Sequence, residues 1–389
     1  MKSNVFTRNV FLLIVILALV GLVAACAAPQ APAAPAAEEP AVEEPAAEEP
    51  VEMDKIVWVS PRGTLEVMDD YNLWAAIEMG YCSDLGIEVE LQAGPQESLS
   101  TTKLVAEGQA DAGYPSPGVL VTSVETGIPV ILGWEMMMDQ VFDFAVAKGS
   151  PIKNIADLEG KSISLWAPGA NVVVDPILIE AGIDPATVEY VVGGAQWGQV
   201  VAQGKADAAL AWRGLAAQWD AQGLELDYIV GKEWSDHPSN GYAIRTEDLE
   251  DPDQVDAWNR FFQCVAMGLD FSRQNPRAAA QITYDQFPAL QEQMTPQLAL
   301  DSMLQLGCGY YDSYEIGEGY GYSDVENWDA YIQTVYDLGQ IENRLDVNDV
   351  VTNQFVEFAN SFDAERTKAD AESFELKDEW KDVEVISCE

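Results

Sequence analysis

Two arginines and four tryptophans at the ends of apolar runs are the side chains of this chain best suited to holding a small molecule. Arg62 follows the run Lys55 to Val59 in Ser60-Pro61-Arg62, and Arg213 follows the run that ends at Trp212. With 20 Lys+Arg against 65 Asp+Glu, cations are scarce, and a guanidinium fork can grip an anionic or carbonyl-rich ligand. A surface salt bridge is the plainer alternative for either arginine, because carboxylates abound. Trp134, Trp166, Trp197 and Trp212 each stand in a strand-ending loop. Flat rings of this kind hold a flat heterocycle by stacking, with about 0.5–1.5 kcal/mol per pair beyond area burial. Trp134, Trp166 and Trp212 are equally suited to ending strands as core residues. Taken jointly, at least two of the four are expected to face a ligand. Tyr114 and Ser116 in Tyr114-Pro115-Ser116, and Asn171 closing the loop from Trp166, complete the candidate ligand-binding set.

Reaction chemistry has less support. Gly-x-Ser-x-Gly, a phosphate-binding loop and His-Glu-x-x-His are absent, so no catalytic residue is expected. The single histidine, His237, lies in Ser235-Asp236-His237-Pro238, which reads as a turn, and there is no Cys-x-x-Cys. A zinc site would need unusual ligands, and neither metal nor cofactor is expected. Asp69-Asp70 has the composition of a glycosidase pair, but 65 carboxylates produce such neighbours by chance. Cys82, Cys264, Cys308 and Cys388 allow three complete pairings. For Cys264 and Cys308 a disulfide and two buried thiols are equally open readings.

The elements that must carry these residues alternate. Lys55 to Val59 predicts a strand, and Asp70 to Tyr81 a helix with Leu73, Trp74, Ile77 and Tyr81 at helical spacing. A strand at Ile87 to Leu91 follows, then the loop Gly94 to Ser100, a helix from Thr101 to Glu107, and Gly108-Gln109-Ala110-Asp111-Ala112 leading into a short strand. Strands at Val130 to Trp134 and Phe142 to Ala147 close this series. The pattern then restarts at the strand Ser162 to Trp166, followed by a helix up to Ala181, a strand at Val188 to Val192, a helical piece at Gln199 to Gln203, and Gly204-Lys205-Ala206-Asp207-Ala208 before Trp212. Two copies of Gly-x-Ala-Asp-Ala at equivalent places predict two α/β lobes of similar build. From Asp253 onward the periodicity is helical, with Trp258, Phe261, Phe262, Val265 and Leu269 on one face and Trp328, Ile332, Val335 and Leu338 on another. These residues predict a helical C-terminal layer, with a charged surface tail over 365–389.

A formal charge of −45 opposes the phosphate neutralisation that nucleic-acid binding requires and is repelled by an anionic membrane surface. A hydrophobic share of 48%, with 11 Trp, 14 Tyr and 12 Phe, is too rich for a disordered chain. Lys2 and Arg8 precede an apolar run from Val10 to Val23, the pattern of a secretory signal peptide over residues 1–25. Its end, Leu22-Val23-Ala24-Ala25-Cys26, resembles the bacterial lipobox, which implies a lipid on Cys26. Residues 27–52 are almost entirely Ala, Pro and Glu, a stiff acidic tether. Together these predict a lipoprotein held at the extracytoplasmic face of the cell membrane, its body a monomer in the adjoining water.

Several segments resemble a known family. The lipoprotein signal, the two Gly-x-Ala-Asp-Ala units, Asn154-Ile155-Ala156-Asp157-Leu158-Glu159-Gly160-Lys161 before a strand, and Tyr336-Asp337-Leu338-Gly339-Gln340-Ile341 are similar to the SsuA/THI5-like (NMT1-like) substrate-binding proteins of ABC importers. The likeness covers roughly residues 54 to 360. It implies a type II periplasmic-binding-protein fold, with lobe 1 at 53–141 and 244–364 and lobe 2 at 142–243. The lobes are joined by a hinge, with crossings near Gln140 to Val146 and Tyr242 to Arg245, and close on a small ligand for delivery to an ABC permease. Family members bind sulfonates, nitrate, thiamine pyrimidine precursors and riboflavin. The overall likeness is greatest to the riboflavin-binding lipoproteins, with the pyrimidine binders second, so riboflavin or a related heterocycle is the expected ligand. The family also includes a pyrimidine synthase that consumes its own histidine, but the cysteine-rich metal segment of that enzyme is missing here.

Overall fold

The computed structural model describes residues 53–95 and 100–387. The signal peptide, Cys26, the tether, residues 96–99 of the Gly94 to Ser100 loop and Cys388 lie outside the described residues.

Among the described residues, ten strands form two five-stranded sheets of the same design. β1 (Asp54–Val59), β2 (Ile87–Gln92), β3 (Ala112–Gly113) and β4 (Val130–Glu135) are joined by β10 (Gly241–Arg245) in the order β2-β1-β3-β10-β4. β5 (Phe142–Ala147), β6 (Ser162–Leu165), β7 (Glu189–Val192), β8 (Ala208–Trp212) and β9 (Leu226–Ile229) make the second sheet in the order β7-β6-β8-β5-β9. Three parallel strands in each sheet meet an antiparallel fourth, β10 or β5, which is the strand that follows a crossing between sheets.

The repeated Gly-x-Ala-Asp-Ala has a common structural basis. Gly108 and Gly204 take φ of +69° and +67°, which ends the preceding helix in the left-handed region that glycine tolerates. The aspartate three residues on then caps the neighbouring strand. Asp111 Oδ2 accepts from Val57 N at 2.8 Å on β1, and Asp207 Oδ2 accepts from Ser162 N at 2.9 Å on β6. Each motif thereby registers the third parallel strand of its sheet, β3 or β8, against the first, β1 or β6.

The crossings are displaced from their expected places. β4 ends at Glu135 and β5 begins at Phe142, so the chain changes lobe over 136–141; it returns between β9 and β10, over 230–240. Residues 142–146 and 242–245 are themselves sheet strands, and the apolar alternation that marks a strand does not reveal which sheet receives it.

The helical layer forms as its periodicity requires. The helix Pro252–Gln274 starts with Asp251 accepting from Asp253 N and Pro252 in its first turn, and it buries Trp258, Phe261, Phe262, Val265 and Leu269. Asn275 ends it and caps the next helix, Pro276–Gln286, by accepting from Ala278 N at 3.1 Å. Two features depart from expectation. Cys264 pairs with Cys82, not Cys308, because the Pro252–Gln274 helix crosses the short helix Tyr81–Asp84 with the two Cα atoms 4.9 Å apart. The segment after Glu365 is charged but not loose: the helix Ala364–Ser373 buries Thr367 on the Asp270 carboxylate, and Trp380 is fully buried against Tyr284. No helix among the described residues is long and apolar enough to cross a membrane.

Candidate functional site

Loops from both sheets converge on a cleft of about 310 Å³. Ligands of open α/β sheets bind where strand ends, loops and helix N-termini meet, and this cleft lies beyond the carboxyl ends of β1, β3, β6 and β8. Its volume is at the small end of the range typical of small-molecule pockets.

One wall, from the second lobe, is aromatic. Trp166 follows β6, Trp197 opens the helix Trp197–Ala202, Trp212 ends β8, and Trp219 lies in the helix Leu215–Ala221. Their rings interlock: Trp197 stacks on Trp212 at 5.7 Å between centroids, Trp166 meets Trp212 edge-on at 5.9 Å, and Trp197 meets Trp219 edge-on at 5.3 Å. Phe142 stacks on Trp166 at 6.5 Å. The Trp197 indole donates to Leu210 O at 2.7 Å, which pins the ring against β8. Gly198 makes the wall possible, since a Cβ there would sit 2.7 Å from the Trp219 ring.

The opposite wall, from the first lobe, is polar and internally hydrogen-bonded. Arg62 Nη2 bonds both oxygens of Asp70, at 2.5 and 2.6 Å, and Nη1 lies 3.5 Å from Asp69 Oδ2. Asp69 is 1% exposed and reaches across to the second lobe, accepting from Trp212 Nε1 at 3.2 Å and Gln218 Nε2 at 3.1 Å. Burial pushes its carboxyl up to about 6, against the opposing pull of Arg62. The Tyr114 hydroxyl shares a hydrogen bond of 3.1 Å with Tyr310, which also reaches the Asp69 carbonyl. Ser116 precedes the helix Pro117–Glu125, whose N-terminal end therefore abuts the cleft. Thr101 lines the same wall at 2% exposure, and its hydroxyl has no partner among the described residues.

Of the residues expected from the sequence, Arg62, Tyr114, Ser116, Trp166, Trp197 and Trp212 line the cleft. Three do not. Trp134 is fully buried in β4, stacked on Phe262 at 5.2 Å, with Gly321 packed against its ring, so it belongs to the core of lobe 1. Asn171 begins a helix and donates to Asp175 at 2.9 Å along it. Arg213 points at the first crossing, where Nη1 pairs with Asp139 at 3.2 Å and Nη2 donates to Gln140 O, so its guanidinium is taken up by the chain between the lobes. Sequence reasoning missed Phe142, Trp219, Gln218 and Thr101 and dismissed Asp69 among many carboxylates. The position of Asp69 shortly after a strand-ending loop was the available signal. Among the described residues no group of His, Cys, Asp and Glu is placed to hold a metal ion.

The fold has counterparts among known proteins. The family described as NMT1/THI5 like matches residues 69–279, just over half of the chain. No curated protein matches. Among solved structures, the alkanesulfonate-binding protein SsuA of Xanthomonas axonopodis pv. citri, bound to MOPS, aligns with a TM-score of 0.59 at 11% identity, covering 78% of this chain and 99% of that one. The ligand-binding component of an ABC-type import system from Staphylococcus aureus, with zinc bound, aligns at 0.57 and 12% identity, covering 79% and 99%. A DszB variant in complex with biphenyl-2-sulfinic acid aligns at 0.53 and 13% identity, covering 79% and 98%. The architecture is the periplasmic-binding-protein fold, two α/β lobes with a helical layer.

Proposed function

Because the chain belongs to the NMT1/THI5-like family, we propose that it is the solute-binding component of an ABC importer, which captures a flat heterocycle between its lobes and hands it to a membrane permease. Riboflavin is the favoured ligand. The supporting observation is the wall of Trp166, Trp197, Trp212 and Trp219 facing a polar wall across the cleft. Stacking on such a surface is worth about 0.5–1.5 kcal/mol per ring pair beyond area burial, and the polar edge opposite orients the guest. Attached through a lipid on Cys26 and an acidic tether, the body would work at the outer face of the cell membrane as a monomer. It is a binder in this reading, since the cleft combines orienting polar groups with aromatic surface.

A sulfonate-type anion is the second reading, favoured by the MOPS bound to the Xanthomonas SsuA. A thiamine pyrimidine precursor fits the aromatic wall as a smaller flat guest. Thermal unfolding of the purified protein with riboflavin, a thiamine pyrimidine precursor and an alkanesulfonate separates these, because a ligand of the native state raises Tm by mass action, about 2.7 kcal/mol at one hundred times Kd. Riboflavin is expected to raise Tm and to lose fluorescence against the tryptophans. An unchanged Tm with all three would refute the importer reading.

A further inference from the structure

The charge of the cleft bears on what it accepts, given the reading of the cleft as a binding site. Arg62 and Asp69 are the two charged side chains that line it among the described residues. Arg62 is neutralised by the carboxylates beside it, and its Nε, which has no hydrogen-bond partner among the described residues, is itself buried. Its Nη2 is committed to Asp70 and its Nη1 leans on Asp69, and Asp70 is itself 2% exposed. With both carboxylates ionised, the three groups carry one net negative charge. An anionic head placed beside them would lose its hydration and meet no unpaired cation. The helix Pro117–Glu125 starts at the cleft, but Pro117 lacks an N–H, so one of the donors that a helix end offers an anion is missing. Asp69, in contrast, has acceptor capacity in reserve. Oδ1 accepts from Gln218, and Oδ2 accepts from Trp212 and faces Arg62 Nη1 at 3.5 Å, whereas an ionised carboxylate offers about four lone-pair sites.

The geometry points to Asp69 as the group that selects the ligand: its carboxylate accepts an N–H from a neutral or cationic flat molecule held on the tryptophan wall, and anions are disfavoured.

The surroundings of Asp69 make this selection sensitive to protons. It is faced by Arg62 and Asp70 from its own segment, by Trp212 from β8, by Gln218 from the helix Leu215–Ala221, and by Tyr310 from the helix Pro296–Tyr310, which also places Ser302 on Gln218. Burial drives the Tyr310 hydroxyl well above its ordinary range, so it stays neutral. Burial holds the Asp69 carboxyl up at about 6, within the pH interval of the test below. A ligand N–H on the carboxylate favours its ionised form, so such a ligand loses up to about tenfold in affinity for each pH unit below about 6. An anionic ligand favours the protonated form and gains affinity over the same interval.

The test uses the full-length protein with two flat probes, riboflavin and naphthalene-2-sulfonate, titrated by fluorescence from about pH 5 to about pH 8. Riboflavin stays uncharged in that window and keeps its ring N–H. The expected result is a riboflavin affinity about tenfold weaker at pH 5 than at pH 7.5, a profile flattened by Asp69→Asn, and weaker binding of the sulfonate throughout. Tighter binding of the sulfonate, or a riboflavin affinity that does not fall in acid, overturns the assignment to Asp69 and leaves the importer reading intact. Binding of neither probe at any pH overturns the binding-site reading as well. Should Asp69→Asn fail to fold, the wild-type pH profile and the comparison of probes decide the same question.

Discussion

Trp166 and Trp134 both end strands at the edge of an apolar run, yet their replacement by alanine should have opposite consequences. Trp166 is half-buried and faces the cleft, so Trp166→Ala removes one wall of the guest's slot. If a ligand covers about 60 Å² of the ring, out of the 150–250 Å² that an aromatic residue can bury, the lost area is worth about 1.5 kcal/mol at 25 cal/mol per Å². Stacking adds about 0.5–1.5 kcal/mol, and the sum of about 2–3 kcal/mol corresponds to a Kd weakened about 30- to 150-fold. The fold should tolerate the change, because Trp197 and Trp212 still pack on one another and Trp219 still meets Trp197. Trp134→Ala empties a fully buried site against Phe262 and Gly321 and should cost about 3–5 kcal/mol of stability, with a near-normal Kd in the folded fraction. Isothermal titration with riboflavin, paired with urea unfolding, measures both quantities. Wild-type affinity in Trp166→Ala together with lost affinity in folded Trp134→Ala would refute the placement of the wall.

Two further predictions concern stability. Cys82 and Cys264 close a loop with a sequence separation of 182, so Cys82→Ser with Cys264→Ser, or reduction, should destabilise by about 2–5 kcal/mol in urea; an unchanged midpoint would show that the bridge does not form in the native protein. Glu135, buried beneath Trp328 and Ser239, has its carboxyl pushed by burial to about 8. Its folded pKa lies above the unfolded one, so the folded state holds its proton longer; that stability is fully present below about pH 4.5 and is lost as pH rises toward 8. Urea midpoints measured across this window should fall with rising pH in the wild type and fall less steeply in Glu135→Gln, and equal slopes would count against the buried acid.

Local rules carried much of the architecture. The two Gly-x-Ala-Asp-Ala motifs were legible because a left-handed glycine followed by an aspartate that accepts from a strand N–H is satisfied within its own lobe, on β1 or β6. The helical C-terminal layer was legible from the spacing of Trp258, Phe261, Phe262, Val265 and Leu269, all buried on the helix Pro252–Gln274. Even the charged segment around Trp380 held a clue, since a lone tryptophan in such a stretch finds an apolar partner when one lies near.

Residue type and spacing therefore determined the alternating α/β pattern, the duplication of lobes, the helical layer and a short list of aromatic candidates. Only the tertiary structure decided which of those candidates meet. Trp134 and Trp212 end strands alike, but β4 presses its tryptophan onto Phe262 of the long helix, whereas β8 delivers Trp212 to the carboxylate of Asp69 in the other lobe. The physical reason is range: hydrophobic periodicity and turn chemistry act over a few residues, whereas the Asp69–Trp212 bond spans 143 positions and exists only once both sheets have folded.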